Sequence, residues 1–78
     1  MENNFKIIQD KFKELPNNIE AEQSVIGSIL VTNEIFDEIN IIITGNNFYD
    51  PMHQKIFGAI ESLIYKGLLA NPITLKNY

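Results

Sequence analysis

Residues 50–67 read Asp50-Pro51-Met52-His53-Gln54-Lys55-Ile56-Phe57-Gly58-Ala59-Ile60-Glu61-Ser62-Leu63-Ile64-Tyr65-Lys66-Gly67, and this stretch decides the fold. Asp50-Pro51 is a helix start: an acid able to accept from the free N–H groups of the first turn, then proline where its missing N–H costs nothing. Met52, Ile56, Phe57, Ile60, Leu63 and Ile64 follow at the spacing of one helix face. Lys66 falls where a cation suits the helix dipole, and Gly67 can adopt the left-handed conformation that stops a helix.

Working back from Asp50, Ile35, Phe36, Ile39, Ile42 and Ile43 repeat at helical spacing, with Asp37, Glu38 and Asn40 on the polar side. The pattern predicts a helix over Glu34–Thr44, stopped by a left-handed Gly45 and continued as a turn by Asn46-Asn47. Before it, Asn18 can cap a helix whose first turn carries Glu20 and Glu22 and whose apolar face is Val25, Ile26, Ile29 and Leu30. Glycine inside a helix costs about 1 kcal/mol relative to alanine. Gly27, beside the small Ser28, therefore predicts close approach of another backbone. Thr32-Asn33 separates the two helices. Pro16 disfavours helix at Leu15 and marks a break. Past Gly67, Asn71-Pro72 repeats the cap-plus-proline signal and predicts a fourth helix that reaches Tyr78 after barely two turns, as in a domain incomplete at its C-terminus. Residues 1–14 form an extension in which Phe5, Ile8 and Phe12, followed by Leu15, recur at helical spacing; it reads either as a short docking helix or as a partly ordered tail. The expected fold class is all-α: a small helical bundle of three complete helices, the start of a fourth and this extension, with residues 15–78 as the domain proper.

The 78 residues suffice for one small domain. Hydrophobic content of 45% with 21% charged residues is that of a folded chain. With no cysteine, disulfide frameworks and thiolate metal sites are excluded. No apolar run approaches the ~18 residues that span a bilayer, and the N-terminus has no apolar signal-peptide core. The net charge of −4 and the absence of arginine argue against autonomous DNA binding, which depends on cations neutralising phosphates.

None of the four glycines heads a phosphate-binding run of the form G-x-x-x-x-G-K-[ST]. His53 is the only histidine; Asp50 is expected to be engaged in capping and Glu61 is off its face, so His53 reads as a histidine packed or hydrogen-bonded at a helix start. Glu20 and Glu22 point to different sides of their helix and make no carboxylate pair. Glu34, Asp37 and Glu38, at i, i+3 and i+4, form an acidic surface: either a solvated face or a docking surface for a basic partner. No catalytic, cofactor-binding or metal-ligating set emerges.

Three ordered motifs carry a resemblance. Pro16 followed by Ile19, Glu20, Ala21, Glu22, Val25, Ile26 and Gly27 is the first. Asn47, Phe48 and Tyr49 with His53, Ile56 and Phe57 are the second. Asn71 with Thr74 and Leu75 is the third, asparagine standing where an aspartate is usual and capping about as well. Together they resemble the N-terminal domain of the bacterial replicative DNA helicase of the DnaB type, over Leu15–Tyr78. The resemblance implies an all-helical, cytoplasmic, non-catalytic interaction domain with no membrane contact and no direct nucleic-acid contact. It would be the globular head that, with a following helical hairpin, forms a collar on the hexamer. Its partners would be other helicase subunits, primase and a helicase loader. The ATP and Mg²⁺ of the family's ATP-dependent 5′–3′ unwinding belong to a later ATPase domain. The carried-over residues, Pro16, Asn18, Glu20, Gly27, Asp50, Pro51, His53, Ile56, Phe57, Asn71 and Thr74, are structural in this reading. Without the hairpin the chain is expected to be a monomer or weak dimer. Two other readings stay open: a small helical nucleic-acid-binding module, and a shortened paralogue acting as an adapter in helicase assembly.

Overall fold

Asn18 opens the described chain by accepting a hydrogen bond on its side-chain oxygen from the Ala21 N–H at 2.9 Å. The computed structural model describes residues 18–78; the break at Pro16 and the stripe from Phe5 to Leu15 lie outside them. Helix α1 spans Ile19–Val31, α2 Phe36–Ile42, α3 Pro51–Tyr65 and α4 Pro72–Lys76. Single 3₁₀ turns precede α2, at Asn33–Ile35, and α3, at Gly45–Asn47. The described residues are all-α, as the periodicity predicts.

The core lies between α1, α2 and α3. Val25, Ile26 and Ile29 meet Ile35, Phe36, Ile39 and Ile43 from one side and Phe57, Ile60 and Leu63 from the other. Phe48, from the loop before α3, completes it. Phe57 is central: its ring centroid lies 5.4 Å from that of Phe36 and 5.1 Å from that of Phe48, both tilted. Such pairs add attraction beyond the area they bury.

Helix α3 begins and ends as its sequence dictates. The Asp50 carboxylate accepts from Met52 N–H at 2.8 Å and Pro51 fills the first position. At the other end Gly67 has φ +78°. Its N–H bonds the Ile64 carbonyl and that of Leu68 bonds the Leu63 carbonyl, each at 2.9 Å, so two carbonyls of the last turn are satisfied by one reversal.

Four expectations are corrected. The single helix over Glu34–Thr44 is instead a 3₁₀ turn followed by the short α2, with Ile43 extended (φ −136°, ψ 154°). The cause is Thr44, whose N–H donates to Asn47 Oδ1 at 2.7 Å; this local side-chain bond competes with continuation of the helix. Gly45 is accordingly no left-handed stop: the helix has already ended, and Gly45 begins the second 3₁₀ turn. Met52 is 60% exposed, because His53 takes the first-turn place on the buried face. Gly27 makes no close approach: a Cβ built on it meets nothing within 4 Å.

Two stability outcomes follow. Phe57→Ala removes the ring at the centre of the core, and chemical denaturation should show a loss of about 3–5 kcal/mol. Gly27→Ala should raise the melting temperature, gaining about 1 kcal/mol, since the methyl group has open space and the helix loses its most flexible residue.

Candidate functional site

The polar side chains that do long-range work sit where elements meet. Glu22 lies on α1 at the same helical spacing as Val25, Ile26 and Ile29, which carries it into the interior, where it is fully buried. Both its oxygens are used. Oε2 accepts from Tyr49 N–H at 2.5 Å; Oε1 accepts from Asp50 N–H at 3.2 Å and from His53 Nδ1 at 2.7 Å. With the carboxylate as acceptor, Nδ1 carries the hydrogen. Gln54 adds a bond from Nε2 to the Phe48 carbonyl at 2.7 Å. The backbone from Phe48 to Asp50 is thus held from α1 on one side and α3 on the other, which seats Phe48 in the core and sets where α3 begins.

A second junction is built by Asn33. Its Nδ2 donates to the Ile29 carbonyl at 2.8 Å and to the Ala70 carbonyl at 2.9 Å, while Oδ1 accepts from Ala70 N–H at 2.9 Å. The loop after α3 is thereby pinned to the end of α1, and Ala70 is buried. Immediately beyond, Asn71 caps α4: its Oδ1 accepts from Ile73 and Thr74 N–H, and its own N–H donates to Thr74 Oγ1, all at 2.9 Å. Among the described residues no buried side-chain polar atom lacks a partner.

The residues singled out from the sequence fall into three groups. Asn18, Asp50, Pro51, Asn71 and Thr74 shape helix starts; Glu20 is exposed in the first turn of α1. Phe57 is core, Ile56 packs partly against it, and His53 is buried on Glu22. Glu34, Asp37 and Glu38 are exposed. Pro16 lies outside the described residues. The structure thus joins Asp50 and His53 at one junction but keeps the acidic trio apart from it. Sequence reasoning missed Glu22 as the partner of His53, and Asn33 altogether. A signal for the first existed: Glu22 and His53 each extend an apolar stripe by one turn, and two polar residues on facing buried stripes must satisfy one another.

This arrangement fixes backbone: the Glu22 carboxylate and the Asn33 amide are each bonded to main-chain groups of another element. Among the described residues no group of three His, Cys, Asp or Glu side chains could hold a metal ion, and no helix is long and apolar enough to cross a membrane.

Residues 14–78 match the model of the DnaB-like helicase N-terminal domain. The chain belongs to this family. It is 46% identical over 63 residues to the replicative DNA helicase DnaB of Rickettsia typhi, covering 81% of this chain and 13% of the relative. Against the DnaB of Buchnera aphidicola subsp. Baizongia pistaciae it is 42% identical over 67 residues, 86% of this chain and 14% of the relative. Against that of Pasteurella multocida it is 39% identical over 62 residues, 80% and 13% respectively. The chain therefore spans about one seventh of the length of these helicases. No solved structure matches it.

The Glu22 junction makes a sharp prediction. Glu22→Gln sets an amide NH₂ against groups that all donate, so at least one bond is lost inside the protein. Urea denaturation followed by far-UV circular dichroism should show a loss of about 1–3 kcal/mol.

Proposed function

We propose that this chain is a non-catalytic assembly domain of a replicative helicase, contributing to the N-terminal collar of the hexamer and to the recruitment of primase during primosome assembly. The observation that supports it most is that the family motifs Glu20–Glu22 and Asn47–Phe57 converge on a junction, Glu22 with Tyr49, Asp50 and His53, that fixes shape and leaves the surface to partners. In this reading other helicase subunits, primase and the helicase loader are the partners, and neither DNA nor ATP is held here. At the starts of α1, α3 and α4 a side chain, Asn18, Asp50 and Asn71 in turn, already takes up a first-turn N–H. In this reading ATP and Mg²⁺ belong to the ATPase domain of the full-length helicase.

The test combines the purified chain with the primase and the full-length helicase of the same organism. The chain should compete with the helicase for primase, or enter helicase assemblies, while hydrolysing no ATP. It should show no salt-dependent affinity for duplex DNA. ATP hydrolysis by the chain itself, or failure to engage either protein, overturns the proposal.

A further inference from the structure

Apolar side chains are held in water around the Glu22 junction. Tyr49 and Met52 are 62% and 60% exposed, and Ile19 is 38% exposed. The three share one end of the molecule. Ile19 lies one turn before Glu22, on the same side of α1. The Glu22 carboxylate bonds the Tyr49 N–H, the Asp50 N–H and the His53 ring, so Tyr49 and Met52, on either side of that contact, flank the same carboxylate. The backbone beneath them is fixed, Tyr49 by Glu22 and Met52 by the Asp50 cap. A contiguous apolar patch on an ordered backbone marks an interaction surface.

The chain itself carries a matching segment. Before Asn18, the residues Phe5, Ile8, Phe12 and Leu15 recur at helical spacing. Lys6, Asp10 and Lys13 fall on the opposite side, four and three residues apart, where opposite charges pair along a helix. The segment is no prolongation of α1. Asn18 is extended (φ −125°, ψ 97°) and spends its side chain on the α1 cap, and Pro16 disfavours helix at Leu15. The tether is short: the three residues from Leu15 to Asn18 span at most ~11 Å. Leu15 is therefore tied to the neighbourhood of Ile19, where the exposed face begins. A helix running back from Leu15 to Phe5 is ~15 Å long. That suffices to pass from Ile19 over Tyr49 and Met52, which flank a carboxylate one turn along α1.

We propose that residues 5–15 form a helix that docks on the Ile19, Tyr49 and Met52 face of the same chain, with Phe5, Ile8, Phe12 and Leu15 against those side chains. The tether selects the same chain as the host. A segment joined by a linker this short meets its face at an effective concentration of about millimolar order, far above that of a second copy in dilute solution. The docked helix lies over the Glu22 and His53 junction and covers the apolar rim around it. The proposal is independent of the assembly role above, which stands or falls with the competition for primase and helicase.

Amide hydrogen exchange and nuclear Overhauser measurements on the full 78-residue chain test it. The amides of residues 9–15 should exchange at least about tenfold more slowly than those of an unstructured chain. The Met52 methyl group should show Overhauser contacts to the ring of Phe5 or Phe12. In Tyr49→Ser/Met52→Ser, changed only at exposed positions, the protection of residues 9–15 should vanish while the amides of α1 and α3 keep theirs. Phe5→Ser/Phe12→Ser, which leaves the described core untouched, should abolish the contacts and shift the Tyr49 and Met52 resonances. Dilution by about tenfold should change none of this, because the docking is within one chain. Three results overturn the proposal: exchange of residues 9–15 at the unstructured rate in the unaltered chain, protection indifferent to Tyr49→Ser/Met52→Ser, or protection that fades on dilution, as docking on a second copy gives.

Discussion

A carboxylate buried in an 8.9 kDa protein must be fully partnered or it destabilises the fold, and Glu22 meets that demand in a way that organises everything around it. Its three donors come from the end of one loop and the first turn of one helix. Satisfying the charge therefore fixes the relative placement of α1 and α3, the two longest helices. Phe48 reaches the core because the peptide groups beside it are anchored, and the Phe36–Phe57–Phe48 cluster forms on that placement. The polar junction and the aromatic core are one construction: the first sets the geometry, the second supplies the burial that stabilises it.

Asn33 does the complementary work at the other end of α1. A side-chain amide can donate and accept at once, so it can stand in for a strand partner and bond both backbone groups of Ala70. The polar groups of both junctions are spent on backbone groups or on each other, and both junctions leave the outer faces of the helices to carry charge and apolar side chains. That division is how this member of the DnaB-like helicase N-terminal family is built: polar junctions inside, charge and apolar side chains on the outer faces.

Much of this was legible in the chain itself. Asp50-Pro51, Asn71-Pro72 and Gly67 announce their helix ends through chemistry that acts within a few residues, and each end is where the sequence puts it. The stripe through Phe57, Ile60 and Leu63 likewise gives the buried face directly. What failed were inferences about non-local or competing contacts. The pairing of Glu22 with His53 spans 31 residues and that of Asn33 with Ala70 spans 37, so no local pattern contains both partners. Ile41–Ile43 looked like more helix, but the bonds of Thr44 to Asn47 end it, and period alone does not weigh a side-chain competitor. Gly27 was read as a contact because glycine inside a helix is costly; the open space beside it shows that cost alone does not reveal a neighbour.

The Asn33 clamp bears on what keeps the last helix in place. A five-residue helix such as α4 has no stability of its own in water, because the nucleation penalty exceeds what so few turns return. Its capping box organises the first turn, and the loop leading to it is held both by the Gly67 and Leu68 bonds to α3 and by the meeting of Ala70 with Asn33, which closes across the 36 residues between them. The order of α4 is thus supplied from outside it: by the amide of Asn33 after α1, by Leu75 against the core, and by the contact of the Tyr78 hydroxyl with Ser62 on α3.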